Sequence, residues 1–306
     1  MVNISTVMNL QLIIFTLFIC GFVLRKFNII DAGARKGLTD LLISLILPCN
    51  IIHSFEIELT DKMLTAGMQV LVIALLVQVI SYLIGVFMYN MTEDRKKKVL
   101  RYATMCSNAG FMGNPVVENL YAAQGLVLAS VYLIPLRIFM WSAGLSCFTT
   151  TSMKDVVKKL LKHPCIIAVW IGFILMFSGL RPPYFIEKSI TYCSNCTLPV
   201  SMLVIGSILA EVNFRQIFKP LTFYYSFIRL ILIPAITLGL CLLLRTDAIT
   251  AGVCVVLAGM PAGSTTAILA EKYDGDSQYA SECVFVTTVL SIVTLLAESY
   301  FIQFLF

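Results

Sequence analysis

The segment ATMCSNAGFMGNPVVEN, residues 103–119, combines side-chain amides, glycines and a proline within an otherwise apolar region. Pro115 lacks a backbone N–H, and its ring clashes with the carbonyl four residues earlier, so we expect an α-helix to open there. Open backbone inside a membrane is tolerated only where protein buries it or where it lines a wet cavity. Many carriers hold a small ion or anion at such a broken helix, and the segment therefore predicts a transporter.

Asn108 and Asn114 are the strongest candidates for binding a ligand in this segment. Each amide offers two donors and an acceptor, which suits a carboxylate without adding a fixed charge. A half-helix that begins after the break would also point its positive end at an anion. The alternative is that the two amides only cap the broken helix. Glu118, three residues after Pro115, would either bind a proton or mark the membrane surface.

A second interrupted segment, residues 259–266, carries two glycines, a proline and three consecutive hydroxyls. We expect Gly263 and the three residues after it to line a cavity with backbone and side-chain oxygens. Hydroxyl groups also hydrogen-bond back into their own helix, which is the alternative role here. The three hydroxyl residues are Ser264, Thr265 and Thr266.

Two arginines and two further asparagines lie within or beside the apolar segments. Arg229 and Arg137 must face protein or water, because a charge in lipid is costly. Each would attract an anion, pair with a carboxylate or form a structural tie to the backbone. Asn50 and Asn195 flank Leu-Pro pairs and are expected to support the site. We find no phosphate loop, metal-spaced His/Cys cluster or Ser/His/Asp set, so the sequence predicts no enzyme, metal site or cofactor.

The composition of the chain indicates a membrane protein. Of its 306 residues, 59% are hydrophobic and 13% are charged, whereas soluble domains carry about 25% charged residues. A membrane span needs about 20 apolar residues. We therefore predict an all-α protein with ten spans, the first of them retained, at residues 8–24, 38–55, 66–90, 99–118, 126–148, 164–180, 188–210, 217–244, 249–270 and 278–305.

The basic residues predict how the chain is oriented. Of the 22 Lys and Arg residues, 16 lie in loops after odd-numbered spans and 4 lie in loops after even-numbered spans. The positive-inside rule then puts the odd-numbered loops in the cytoplasm and both termini outside the cell membrane. Because the positive charges lie between spans, the net charge of +5 does not indicate nucleic acid as a partner.

Landmarks recur along the chain at a nearly constant offset. Leu47-Pro48 reappears 151 residues later as Leu198-Pro199, and Tyr121 reappears 152 residues later as Tyr273. Five spans per half is an odd number, so the two halves must be inverted in the membrane. Paired interruptions in inverted halves indicate a site near the midplane. We expect one repeat in residues 1–150 and the other in residues 151–306.

The chain resembles the auxin efflux carrier family of membrane transporters over essentially its whole length. The plant pattern NxxxxGxPxxxxxYG is similar to Asn108, Gly113, Pro115 and Tyr121 here, with the last Gly delayed to position 125. Pro48 with His53, Arg229 with Pro234, and AEKYDGDSQYASECVF after a Met-Pro pair extend the resemblance, and the last is typical of bacterial members.

This resemblance implies a fold, a mechanism and a substrate class. The fold is two inverted five-span repeats whose broken spans 4 and 9 cross near the midplane. The mechanism is an elevator-like alternating movement of a transport domain against a scaffold, often in a dimer. The substrate is an organic anion with its carboxylate near Asn108, and auxin itself is not assumed. Thr266 stands where plant carriers have a second proline, and their long central domain is missing here.

Two other readings stay open from the sequence. One is a sodium-coupled symporter of the related bile-acid-carrier architecture, and the other is a membrane-embedded sensor that binds a ligand without transporting it. The sequence shows no dense cluster of acidic residues near the predicted crossing and no long soluble signalling domain. Both observations favour the organic-anion carrier.

Overall fold

The computed structural model describes residues 4–55, 61–148, 162, 164–210, 219–263, 265–273 and 275–305. Within these ranges the chain is helical, and its one isolated β-bridge joins Ser107 and Ala262. The α-helices are α1 Ile4–Lys26, α2 Ala32–Leu41, α3 Leu47–Ser54, α4 Asp61–Met88, α5 Asp94–Met105, α6 Asn114–Phe139, α7 Pro164–Ser178, α8 Tyr184–Asn195, α9 Thr197–Leu209, α10 Pro220–Phe227, α11 Ile233–Leu243, α12 Ala248–Ala258, α13 Thr265–Lys272 and α14 Ser277–Leu305. Four π-helical turns connect some of them: π1 Leu42–Ile46, π2 Ala109–Gly113, π3 Met140–Gly144 and π4 Ile228–Leu232.

Within the part of the chain that the structure describes, five helical stretches are long and apolar enough to cross a membrane. They are Ala32–His53, Asp61–Met88, Ala109–Gly144, Pro220–Leu243 and Ser277–Ile302, with shorter apolar helices at Pro164–Ser178 and Ala248–Ala258. The predicted class, an all-α membrane protein, is therefore confirmed. The division into ten spans stays a prediction.

Proline widens three of the helices without breaking them. A proline that lies two residues after the end of a π turn would clash with the carbonyl four residues back if the helix were a regular α-helix. The π turn relieves that clash because the residue before each proline donates its backbone N–H to the carbonyl five residues earlier, instead of four. These bonds run from Leu47 N to Leu42 O, from Asn114 N to Ala109 O and from Ile233 N to Ile228 O, ahead of Pro48, Pro115 and Pro234.

The opening that we predicted at Pro115 lies earlier in the chain. Helix α5 ends at Met105, and Cys106 is extended, with φ −110° and ψ 92°. Helical backbone resumes at π2, so the open residues are 106–108. Pro115 lies in the first turn of α6, where the π turn has already accommodated its ring. The proline marks a widened helix, and the break precedes it.

Helix α6 contains a sharp bend that separates two of the predicted spans. Ala122 has φ 53° and ψ −153°, which is far from helical geometry. The residues before it continue from the first break, and those after it run towards π3. This bend lies between the predicted segments 99–118 and 126–148, whose division into two spans stays a prediction.

The second interruption is found where the sequence predicted it. Helix α12 ends at Ala258 and α13 begins at Thr265. Asp247 caps the start of α12 by accepting hydrogen bonds from Ile249 N at 3.0 Å and Thr250 N at 3.2 Å. Helix α12 is the centre of the core: every residue from 250 to 258 is buried. Helices α4, α6, α11 and α14 pack around it.

Candidate functional site

The two breaks pair with each other through their backbones. Asn108 N donates to Pro261 O at 2.8 Å, and Gly263 N donates to Cys106 O at 2.9 Å. These bonds flank the antiparallel bridge between Ser107 and Ala262. Each open segment thus satisfies backbone groups of the other, which unpaired backbone in a membrane requires. We call residues 106–108 and 261–263 the crossing.

Gly263 allows the two backbones to approach closely. A Cβ atom at this position would lie 3.0 Å from Cys106 O and 3.3 Å from Ser107 O. Contacts this short with backbone oxygen leave little room for adjustment, so a larger residue would force the segments apart. The sequence predicted a glycine-dependent approach here, and the geometry agrees with it.

Arg229 holds the carbonyl ends of both broken helices. It is 2% exposed. Its Nε donates to Met260 O at 3.0 Å and its Nη1 donates to Thr104 O at 3.0 Å, while Nη2 donates to Ala258 O. The C-terminal ends of α5 and α12 carry partial negative charge, which a guanidinium neutralises. Of the roles that the sequence left open for Arg229, its contacts are those of the structural tie.

The first helical turns after both breaks line a cavity beside the crossing. Its volume is about 100 Å³, which is room for several water molecules or a small solute. The lining residues are Ile43, Leu47, Ser107, Asn108, Gly110, Phe111, Leu133, Leu136, Arg137, Met140, Cys165, Gly263 and Thr265. Polar groups come from the crossing, from α6 and from Thr265 at the start of α13, and apolar groups form the remaining walls.

Two buried nitrogen donors in this cavity have no hydrogen-bond partner among the described residues. They are Arg137 Nη1 and Asn108 Nδ2. Arg137 is 5% exposed and Asn108 is 3% exposed. Leaving a buried donor unpaired costs about 1–3 kcal/mol, and more for a charged group. The cavity therefore offers an anion a full positive charge and an amide donor.

The sequence gives Arg137 and Arg229 the same candidate roles. A single arginine inside an apolar span was the signal, and Arg229 carried the same signal. The structure separates the two: Arg229 reaches three carbonyls, whereas Arg137 lines the cavity with an unpartnered nitrogen. Of the two, Arg137 is the candidate for direct contact with a ligand.

The other candidates around the first break do not line the cavity. Asn114 is fully buried, and neither its side-chain oxygen nor its nitrogen has a partner among the described residues. It caps no helix, because the first turn of α6 has no side-chain cap. Pro115 contributes its carbonyl, which accepts from Asn119 Nδ2 at 2.8 Å.

The hydroxyl residues of the second break take different positions. Thr265 lines the cavity, and its Oγ1 lies 3.1 Å from Tyr102 Oη. Thr266 is buried with its hydroxyl unpartnered among the described residues, and its backbone N donates to Gly263 O at 2.9 Å. Ser264 lies outside the described residues.

Asn50 belongs to a separate polar cluster between α3, α6 and α8. Its Nδ2 donates to Ser194 Oγ at 2.9 Å and to Glu118 Oε2 at 3.3 Å. Asn195, which we expected beside it, is exposed at the end of α8. One residue is about 100° of helix rotation, so the neighbouring Ser194 faces inward instead. Glu118 is thus tied to α3, away from the cavity lining.

Long apolar helices with paired breaks and a polar cavity between them are features of multi-pass membrane transporters. A sequence profile described as membrane transport protein matches residues 6–157 and 148–297. The chain belongs to this family, which confirms the resemblance to the auxin efflux carriers. It is therefore a membrane transporter of a small molecule, and not an enzyme.

Curated relatives agree with this assignment. The chain is 25% identical to an uncharacterised transporter of Methanocaldococcus jannaschii, over 94% of this chain and 96% of that protein. It is 26% identical to an uncharacterised transporter of Methanothermobacter thermautotrophicus, over 92% and 94%. A proposed malonate transporter of Rhizobium meliloti is 24% identical over 48% of this chain and 46% of its own length.

Proposed function

We propose that the protein is a secondary carrier that binds a small organic anion, such as a carboxylate, in the cavity beside the crossing. The observation that carries this proposal is the pair of buried, unpartnered donors, Arg137 Nη1 and Asn108 Nδ2, in one cavity. A carboxylate has two acceptor oxygens and one negative charge, so it would satisfy both donors and neutralise the guanidinium.

The ends of two helices add to the positive potential of the cavity. Helical backbone resumes at Ala109 after the first break and at Thr265 after the second. The N-terminal end of a helix carries a partial positive charge of up to about half an elementary charge. Gly110 and Thr265, which lie in these first turns, both line the cavity. Together with Arg137, these ends favour an anion over a neutral solute of the same size.

The apolar walls suit the hydrocarbon part of an organic acid. Leu133 and Leu136 from α6 face the cavity, as do Ile43 and Leu47 from the π1–α3 segment. An inorganic anion would gain nothing from these side chains, whereas a short carbon chain would bury apolar surface there. The half-length similarity to a proposed malonate transporter supports a short-chain carboxylate as the substrate.

We further propose ten spans in two inverted repeats, residues 1–150 and 151–306. The first halves of the broken helices end at Met105 and Ala258, 153 residues apart, close to the offsets of the sequence landmarks. The substrate would alternate between the two sides of the cell membrane by an elevator-like movement, with both termini outside. The mixed origin of the cavity walls supports this movement, because α3, α6, α7 and the crossing all contribute lining residues. A homodimer would hold the scaffolds in place.

Transport into proteoliposomes tests the proposal. The panel contains acetate, lactate, malonate, succinate, malate, citrate and indole-3-acetate, with imposed pH, sodium and voltage gradients. We expect uptake of at least one short acid, and Asn108→Ala should weaken its binding roughly tenfold or more, since a charged hydrogen bond contributes about 1.5–3 kcal/mol. Asn9→Ala, an exposed amide on α1, is the matched control. Absence of uptake under every gradient, or equal affinity in both variants, would refute the proposal.

A further inference from the structure

A carboxyl group is buried where α12 ends at the crossing. Glu298 lies on α14 and is 9% exposed. Neither of its carboxyl oxygens has a hydrogen-bond partner among the described residues. Its carboxyl group packs directly on Gly259, so closely that a Cβ atom at position 259 would collide with both oxygens. This group is held at the backbone of the second break, outside the anion cavity.

The surroundings of Glu298 disfavour a negative charge. The end of α12 is the negative end of a helix dipole. Arg229 is the nearest cation, and its charge acts on the Glu298 carboxyl. However, the guanidinium donates to Thr104, Ala258 and Met260 carbonyls, and the two side chains form no ion pair within 4.0 Å. Glu298 therefore gains no direct compensation for a charge.

Few other charges approach Glu298 from the helices that pack on α14. Helices α9, α10 and α12 carry no Asp, Glu, Lys, Arg or His. The charges of α1, Arg25 and Lys26, lie in its last turn. The charged residues of α5 all come before Tyr102 in that helix. The side chains of Glu271 and Lys272 in α13 lie outside the described residues. Among described groups, Arg229 is the one that acts on Glu298.

We propose that Glu298 is a proton-binding site that couples proton movement to anion transport. A carboxylate buried without a partner is very costly, whereas the neutral acid removes the charge. The step is a simple protonation: one proton adds to a Glu298 carboxylate oxygen and leaves from the same oxygen, and no other bond changes. The coupling rests on the proposed function, while the proton site does not.

Arg229 connects the proton to the crossing. With Glu298 neutral, the guanidinium stays on the three carbonyls and the two breaks are held together. With Glu298 ionised, the new carboxylate competes for the guanidinium. Loss of bonds to Ala258 and Met260 would free the end of α12 and loosen the backbone that shapes the anion cavity. Protonation of Glu298 then raises the affinity of the cavity for the anion. By thermodynamic linkage, the bound anion raises the affinity of Glu298 for the proton by the same factor.

The proton site is tested first, without any substrate. Infrared spectroscopy of the purified protein should show a protonated-carboxyl C=O band that Glu298→Gln removes. Glu282→Gln is the matched control, because Glu282 lies in the same helix and is buried, but its carboxyl group forms an ion pair with Lys219 at 2.7 Å. The band should persist in that control. A band unchanged by Glu298→Gln would overturn the proton site.

The coupling is tested in proteoliposomes with labelled malonate, or with another acid of the panel if that acid is taken up faster. The wild type and Glu282→Gln should accumulate it under an inward proton gradient. Glu298→Gln, locked in the neutral form, should keep exchange of internal for external acid but lose this accumulation. Glu298→Asp keeps a titratable acid and should retain accumulation with a shifted pH profile, which covers the case in which the Gln protein misfolds.

Two results would overturn the coupling. One is a wild type that ignores the pH gradient, and the other is a Glu298→Gln protein that accumulates the acid as the wild type does. If no acid of the panel is transported, the proposed function fails and the coupling fails with it. The infrared band would still decide whether Glu298 holds a proton.

Discussion

Arg137 provides the sharpest test of the anion site, because two substitutions separate its charge from its hydrogen bonds. Arg137→Gln keeps a polar side chain with N–H donors but removes the positive charge. Arg137→Lys keeps the charge but replaces the planar guanidinium with a compact ammonium. The side chain is 5% exposed and its Nη1 has no hydrogen-bond partner among the described residues, so both variants should fold.

The size of the effect follows from the burial of this charge. Two unit charges about 4 Å apart attract by about 4 kcal/mol at an effective dielectric constant of about 20. A charged hydrogen bond contributes about 1.5–3 kcal/mol net. We therefore expect Arg137→Gln to weaken anion binding by about 2–4 kcal/mol, roughly thirtyfold to a thousandfold. Arg137→Lys should retain an intermediate affinity.

The assay is competition for uptake in proteoliposomes, with affinity also read from ligand-induced thermal stabilisation in detergent. Arg181→Gln, which removes an exposed arginine between α7 and α8, controls for the change in net charge. Equal affinity in Arg137→Gln and Arg181→Gln, with normal folding of both, would show that Arg137 does not contact the anion. The buried positive charge of Arg137 at the cavity would then need an explanation other than anion binding.

Three further changes test the frame around the cavity. Arg229→Lys and Arg229→Gln should both unfold at lower temperature than the wild type, because each carbonyl left unpaired costs about 1–3 kcal/mol; a Lys variant as stable as the wild type would contradict the three-carbonyl tie. Gly263→Leu should abolish transport at matched abundance, whereas Gly239→Leu, with open space around it, should transport normally; equal transport would show that the backbones do not pass closely. Gly206→Leu should lower thermal stability by separating α1 from α9, since a Cβ there already meets Phe18 O; an unchanged unfolding temperature would contradict this packing.

The sequence located both breaks to within a few residues but misjudged what opens the first one. Pro115 was the visible signal, and a π turn removes its clash locally. The residues that do open, 106–108, contain no proline. Their open backbone is stabilised by residues 261–263, more than 150 positions away. Pairing between residues so far apart in the chain leaves no local sequence pattern. Only the position of the second break was therefore predictable, because that segment contains its own glycines and proline.

The roles of polar side chains were harder to predict than their importance. Arg137 and Arg229 look alike in sequence, and only the tertiary structure brings three carbonyls to one of them. Asn195 and Ser194 are neighbours, and the helix phase of α8 decides which one faces Asn50. The residue types in the sequence identified the polar and charged side chains that cannot face lipid. The identity of their partners depends on packing between helices.

The two arginines have different surroundings at the crossing, and this difference affects whether the cavity selects an anion or a neutral solute. Breaking two helices at one place exposes two carbonyl ends and two amide ends. Arg229 neutralises the carbonyl ends with its own hydrogen bonds, so these ends need no ligand while Glu298 is neutral. The amide ends already create a positive potential in the cavity. Arg137, which also lines the cavity, adds a full positive charge to that potential. A buried excess of positive charge is costly unless a negative group compensates it. The cavity should therefore bind an anion more tightly than an uncharged analogue of the same shape.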